Sequence, residues 1–183
     1  DREILLKSSW DGAKIRIPWL LASWTGGIIA SLVIGNFEKM LENTIVLVSF
    51  IPIIIGMGGN IGTQSSTIIV RGMATGRITM GDEGATILKE LKTGLILGIL
   101  YGLMLGLFAG VRFLNTEPMI GVVVGLSICS AMIIATGVGT LTPLVLRKVE
   151  IDPAIAAGPF VTTSIDILGV LLYFLIAGLL LQA

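Results

Sequence analysis

Histidine is absent from this chain, and cysteine occurs once, at Cys129. Without imidazole there can be no His-based catalytic triad, no imidazole zinc site and no histidine proton relay. A single cysteine excludes an internal disulfide and a thiolate metal cluster. The remaining ligands are oxygen atoms of carboxylates, hydroxyls, amides and backbone carbonyls, which suit magnesium, calcium, manganese or alkali ions.

Charged residues are also scarce. They make up 13 % of the 183 residues, while hydrophobic residues make up 54 %. An ordinary soluble domain carries about a quarter charged residues, so the composition predicts an all-α, multi-pass membrane protein. The N-terminus has no signal-peptide cleavage pattern, and because the chain begins with Asp1 rather than Met we expect it to be a fragment of a longer protein.

Apolar runs separated by polar connections predict five transmembrane helices. The runs are 19–36, about 44–70, a third carrying Gly94 to Gly110, a fourth from Pro118 to about Leu146, and a fifth of about 154–183. Lysine and arginine number four, one, four, one, two and none across the successive connections. This alternation predicts a cytoplasmic N-terminus and an extracytoplasmic C-terminus. An odd number of spans prevents a simple even repeat, so a pore on a symmetry axis would need two or more copies.

Prolines and charges mark the predicted helix ends. Pro18 is assigned to the first helical position of the first span, and Pro143 is expected to kink or end the fourth. The basic lead-in to the first span is Arg2, Lys7, Lys14 and Arg16. In the connection after the second span, Thr79 could cap a short amphipathic extension. The acidic residues there, interpreted as solvated rather than as metal ligands, are Asp82, Glu83 and Glu90.

The second span is expected to be irregular. Pro52 and the glycines between Gly56 and Gly62 weaken a regular helix, and the polar run from Asn60 to Thr67 follows inside the apolar length. The segment is either a glycine-rich packing face or hydrated backbone lining a pore, and its many amides and hydroxyls favour the pore. In the third span, glycines at a strict spacing of four from Gly94 to Gly110 predict close helix packing, a structural role.

Asp166 is the anomaly of the fifth span. It lies thirteen residues after Pro153, or roughly 20 Å of helix, near the middle of a hydrocarbon layer about 30 Å thick. A charge at that depth costs on the order of 2.5–3.5 kcal/mol, so it should face protein, water or an ion. Gly158, Thr162 and Gly169 share its helical face, a narrow polar and small-residue stripe typical of a helix that lines a wet path.

Two segments carry a family resemblance: PIIIGMGGNIGTQSSTIIVRG, Pro52 to Gly72, and DPAIAAGPFVTTSIDILG, Asp152 to Gly169. They resemble the transmembrane domain of the MgtE family of magnesium channels, and the resemblance covers essentially the whole chain. It implies that residues 1–183 form a transmembrane pore domain, a homodimer in the plasma (inner) membrane with its pore on the dimer axis. It also implies cytosolic N and CBS domains upstream of residue 1.

The resemblance further assigns residues. It implies that Asp166 is the pore aspartate that holds hydrated Mg2+, and it places the pore-lining residues at Gly158, Thr162, Gly59, Asn60 and Thr63. Asp152 resembles an acidic position at the cytoplasmic mouth that takes part in a gating metal site. A helix cap ahead of Pro153 explains Asp152 equally well.

The function predicted from these residues is passive conduction of hydrated Mg2+ between two Asp166 carboxylates, with selectivity among magnesium, manganese, cobalt, nickel and calcium left open. A secondary exchanger coupled to Na+ or H+ would use the same carboxylate. We do not expect an enzyme, because an intramembrane hydrolase using Ser65, Ser66 or Ser164 would lack histidine, a nearby base and a GxSxG pattern. A purely structural anchor would leave Asp166 without a purpose.

Overall fold

The structure is a computed structural model that describes residues 8–78, 81 and 83–181, with backbone alone at 155 and 156. Within these ranges the order is α1 (Ser9–Gly35), α2 (Glu38–Asn43), a 3-10 segment (Ile45–Phe50), α3 (Ile51–Ala74), α4 (Glu83–Arg112), α5 (Ile120–Lys148) and α6 (Pro153–Leu181). Five helical stretches here, one of them the 3-10 segment joined to α3, are long and apolar enough to cross a membrane. The all-α class and the five spans are confirmed. Arg2, Lys7, Thr79 and Asp82 lie outside the described residues.

The start of α1 differs from the prediction, and of the two outcomes expected at Pro143, a kink or an end, the end is excluded. α1 begins at Ser9, where the Oγ of Ser8 accepts a hydrogen bond from the N–H of Asp11 at 3.3 Å. Pro18 lies inside α1, so its assignment to the first helical position was wrong. α5 runs through Pro143 to Lys148, so this proline does not end the helix. A proline removes one backbone donor, and an apolar helix keeps its other bonds where no water competes for them.

α4 and α5 form one tightly packed pair. A Cβ added at Gly102 would lie 2.6 Å from the carbonyl oxygen of Gly125, and one at Gly106 would lie 2.8 Å from that of Gly121. The two backbones therefore touch, and residue numbers rise on one helix as they fall on the other. The prediction that the glycine row packs helices is confirmed.

α3 and α6 also run antiparallel, through the middle of the bundle. Gly58 faces Ile165, and Gly62 faces both Ile165 and Val161, so residue numbers rise on α3 as they fall on α6. We call these four residues the α3–α6 contact. On the same helix, Gly62 packs its carbonyl against Gly139 of α5. α3 is thus held between two neighbours through its glycines.

The break in the second span lies ahead of α3, in the 3-10 segment. Tyr173 on α6 fixes this segment, because its buried hydroxyl donates a hydrogen bond to the carbonyl of Leu47 at 2.9 Å. Beside it Phe37 stacks on Phe174 with ring centroids 4.8 Å apart. From Ile51 onward the helix is continuous, so the irregular backbone expected among the glycines was wrong. Gly58 and Gly62 pack against α5 and α6, and this packing stabilises a helix that glycines would otherwise weaken.

Candidate functional site

The candidate residues of α3 and α6 lie on one side of the pair. Each step along an α-helix turns about 100°, and in an antiparallel pair the residue after each contact residue turns to the same side of both helices. Gly59 and Thr63 follow the α3 residues of the α3–α6 contact, and Thr162 and Asp166 follow the α6 residues. The fold therefore brings these four together on what we call the open side.

The open side is lined by small and polar groups. On α3, Thr63 is exposed, and a Cβ added at Gly59 would meet no atom of the described residues within 4 Å. Asn60 is also exposed, but it follows Gly58 by two residues and therefore turns about 200° around α3, away from α6. On α6, Gly158 is equally unobstructed, and it lies one turn from Thr162 on the same helical face. In the single chain this surface is at least partly exposed, and it lies within two of the helices that are long and apolar enough to cross a membrane.

The threonine hydroxyls of this surface are anchored to their own helices. Thr63 donates to the carbonyl of Gly59 at 2.8 Å, and Thr67 donates to that of Thr63 at 2.8 Å. Thr162 donates to the carbonyl of Gly158 at 3.1 Å. A hydroxyl has one proton and two lone pairs, so each oxygen still offers acceptor capacity away from the helix. The surface therefore presents oxygen acceptors to whatever occupies the open side.

Asp166 is half-buried beside these groups. Within the described part of the chain its carboxylate has no basic partner, and no fully buried polar side-chain atom there lacks a hydrogen bond. The oxygens of Asp166 must then be open to the space beside the helix pair. In the same ranges there is no group of three or more Asp, Glu, His or Cys residues that could hold a metal ion. One chain offers one carboxylate, which is not a complete cage for a bare ion.

Asp152 lies apart from this surface. It is exposed at the start of α6, and its Oδ1 accepts a hydrogen bond from the N–H of Ala154 at 2.9 Å. The capping interpretation is confirmed. Fourteen residues, or roughly 21 Å of helix, separate Asp152 from Asp166. The two carboxylates therefore cannot share one ion within a chain.

Sequence reasoning missed the pair formed by Ser65 and Glu90. Glu90 is 7 % exposed and Ser65 is 2 % exposed, and the Ser65 Oγ donates to Oε2 of Glu90 at 2.9 Å. The interpretation of Glu90 as solvated was wrong. The sequence did contain a signal of this burial, because Glu90 lies one helical turn before Gly94, on the face of α4 that carries the packing glycines. A carboxylate therefore lies beside Ser65, where no base was expected.

Known proteins resemble this chain along most of its length. The family model described as "MgtE: Divalent cation transporter" matches residues 51–176. The magnesium transporter MgtE of Thermus thermophilus is 35 % identical over 168 residues, which are 92 % of this chain and 37 % of that protein. The protein of the same name from Enterococcus faecalis is 35 % identical over 187 residues, covering 100 % of this chain and 40 % of the relative.

A third relative, the magnesium transporter MgtE of Bacillus subtilis, is 35 % identical over 162 residues, 88 % of this chain and 36 % of its own length. The chain thus spans well under half the length of the curated relatives that it matches. The matched region contains all of α3, α4 and α5 and most of α6. Together with the five apolar helices, these matches make the chain part of a multi-pass membrane protein.

Proposed function

The chain belongs to the MgtE family of divalent cation transporters, and from that membership we propose that it conducts hydrated Mg2+ through a pore on the twofold axis of a homodimer. Residues 1–183 are then the transmembrane pore domain, and the cytosolic N and CBS domains precede residue 1. The domain sits in the plasma (inner) membrane with its N-terminus in the cytoplasm and its C-terminus outside. Mg2+ is the transported substrate in this account.

The observation that carries the proposal is the open side itself. The Asp166 carboxylate on this side has no basic partner among the described residues, and an unsatisfied polar group costs several kcal/mol at a depth where lipid cannot hydrogen-bond. Water or protein must therefore cover this surface. A second copy related by a twofold axis supplies the same surface, so two open sides would enclose one polar, water-filled path.

Asp166 is the proposed metal site. Mg2+ gives up its hydration water reluctantly and prefers octahedral oxygen coordination, which one carboxylate per chain does not supply. Two Asp166 carboxylates across the axis would instead bind the ion through its water shell. They repel each other when the site is empty, and a divalent cation removes that repulsion. Charge would then favour divalent over monovalent ions, and the width of the path would select the hydrated ion.

The other candidate residues have supporting roles. Thr162 and Thr63 offer hydroxyl oxygens to the water shell of the ion, and Asn60 offers an amide from the part of α3 that turns away from α6. Gly59 and Gly158 keep the path wide, because neither places a side chain in it. Asp152, at the cytoplasmic end of α6, is proposed as a gating metal ligand in addition to its capping bond, since one of its oxygens remains free of that bond.

A secondary exchanger that couples Mg2+ to Na+ or H+ is the alternative, and the same half-buried carboxylate favours it equally. The two mechanisms differ in rate. Recording from single protein molecules in a planar bilayer separates them, because a channel passes resolvable unitary currents and a carrier does not.

The substitution Asp166→Asn tests the proposal. Asn has nearly the same volume without the charge, so fold and dimer are expected to persist. Mg2+ uptake into proteoliposomes should fall about tenfold or more, because losing the charge should cost the bound ion more than about 1.4 kcal/mol. The control is Asp11→Asn at the exposed start of α1. Equal uptake by the Asp166 variant and the wild type would overturn the assignment.

A further inference from the structure

A second polar cavity lies between the last turns of α3 and the first turns of α4. Its volume is about 560 Å³. It is separate from the open side and contains none of the residues assigned to the pore. Its described lining consists of Ile68, Arg71, Gly72, Thr75, Arg77, Ile78, Thr86, Lys89 and Glu90.

Glu90 lies at the buried floor of this cavity. A carboxylate offers about four acceptor sites, and among the described residues only Ser65 donates to it. No described lysine or arginine lies within ion-pair distance of Glu90, although three of them line the same cavity. The cavity thus holds a buried negative charge and three positive charges that do not pair with it. A buried carboxylate with unused acceptor sites is unfavourable, so a hydrogen-bond donor that enters the cavity would stabilise it.

The other charged residues in the described lining of the cavity are basic. Arg71, Arg77 and Lys89 are all exposed and all line it, and Glu90 is the only acidic residue in its described lining. Three cations disfavour Mg2+, which would also need several oxygen ligands. A simple anion would suit the arginines but would meet the Glu90 carboxylate. The charge pattern fits a ligand that carries a cation and an anion a short distance apart.

The residues that line the cavity indicate which type of cationic group the ligand carries. Quaternary ammonium groups are recognised by aromatic cages, and the described lining contains no aromatic residue. A carboxylate with free lone pairs matches the N–H donors of a primary ammonium instead. Guanidinium groups, for their part, match phosphate oxygens in bidentate geometry. A ligand that carries a primary ammonium and a phosphate a short distance apart satisfies both preferences, and phosphoethanolamine is such a ligand.

The depth of the cavity indicates where such a group comes from. α3 ends at Ala74 and α4 begins at Glu83, so the cavity is at the membrane end of two spans. Glu90 is seven residues into α4, or roughly 10 Å along it, and the headgroup layer is about 5–7 Å thick on each side of the bilayer. The floor of the cavity therefore lies close to the boundary between lipid headgroups and hydrocarbon.

We propose that this cavity binds the phosphoethanolamine headgroup of a membrane lipid, with the ammonium on Glu90 and the phosphate on Arg71, Arg77 and Lys89. The headgroup neutralises the buried carboxylate and ties the connection between α3 and α4 to the membrane. This binding does not depend on the proposed pore, since it involves neither Asp166 nor the open side.

The test measures which lipid stays bound. The protein is placed in nanodiscs containing equal mole fractions of phosphatidylethanolamine, phosphatidylcholine and phosphatidylglycerol, then transferred to detergent, and retained lipids are counted by native mass spectrometry. Wild type should retain phosphatidylethanolamine over phosphatidylcholine by about tenfold, a difference of about 1.4 kcal/mol. Arg77→Gln should lower the retention of all three lipids, because each carries a phosphate.

Glu90→Gln is the decisive variant. The Gln side-chain oxygen still accepts the bond from Ser65, so the variant should fold, which a melting curve checks. The preference for phosphatidylethanolamine should fall to near parity, whereas the control Glu83→Gln, seven residues earlier on α4, should keep it. A preference absent from the wild type or retained in Glu90→Gln overturns the proposal. Displacement of the lipid by soluble O-phosphoethanolamine at millimolar concentration overturns the lipid as its source.

Discussion

Glycines line both the α4–α5 interface and the open side of α3 and α6, yet they do opposite things there. At Gly102 an added Cβ would lie 2.6 Å from a backbone oxygen of α5, so the glycine is required for contact. At Gly59 and Gly158 an added Cβ would meet nothing within 4 Å. At the α4–α5 interface, glycine lets the two helices touch. On the open side, glycine leaves space beside the helices.

The comparison teaches that a glycine in a membrane helix has two uses. Where a partner helix is present, the missing side chain lets two backbones approach, and van der Waals contacts hold the pair. Where no partner in the chain is present, the same missing side chain leaves room beside Asp166 and Thr162. Both uses occur on α3 itself, since Gly58 packs on Ile165 while Gly59, the next residue, is free.

The largest effect is expected from filling the closed interface. Gly102→Val should lower the free energy of unfolding by about 1–3 kcal/mol or prevent folding, because the clash is with the backbone of α5, which cannot rotate away. The melting temperature of the purified protein in detergent measures this. Gly59→Val is the matched control on the open side and should melt like the wild type. Equal destabilisation by both substitutions would erase the distinction between the two regions.

A smaller effect is expected where glycine meets a side chain. A Cβ at Gly26 on α1 would overlap Cγ2 of Thr163 on α6, so Gly26→Ala should destabilise by about 1 kcal/mol. Thr163→Ser removes that methyl group and should restore most of the loss in the double variant. A double-mutant cycle of melting curves gives the coupling between the two positions. A coupling energy of zero would mean that α1 moves to accommodate the added Cβ and that the Cβ does not clash with Thr163.

The smallest effect is expected on the open side. Thr162→Val keeps the side-chain volume and removes a hydroxyl that already bonds to the carbonyl of Gly158, so the fold should be unchanged. Mg2+ uptake should fall only a few-fold, because the hydroxyl would act on the water shell of the ion. Thr93→Val, at an exposed threonine of α4, is the control. A loss as large as that of Asp166→Asn would make the Thr162 hydroxyl a direct ligand.

Much of the fold followed from local patterns. Apolar runs long enough to span a bilayer gave five correct helices, and the spacing of Gly94 to Gly110 predicted the α4–α5 interface correctly. Helix ends at prolines were less predictable. Pro18 and Pro143 signal breaks in soluble proteins, but each removes only one backbone donor, and α1 and α5 remain helical through them.

The candidate site was only partly accessible from sequence. Asp166 stood out because a lone charge in an apolar run needs a reason, and its role as a metal ligand remains a prediction. Glu90 did not stand out, because it belongs to a segment rich in charges, where solvation is the ordinary expectation. Its burial against Ser65 depends on how α4 lies on α3, which no pattern within α4 specifies.

The amino-acid sequence by itself determined the membrane setting, the number of spans, the absence of histidine ligands and the position of Asp166 along its span. Each of these depends on composition or on distance along one helix. Only the tertiary structure decided that Thr162 and Asp166 share a side with Gly59 and Thr63, and that Glu90 is buried against Ser65. Periodicity sets the direction of a side chain around its own helix axis, but which neighbour occupies that direction is decided by how the helices pack.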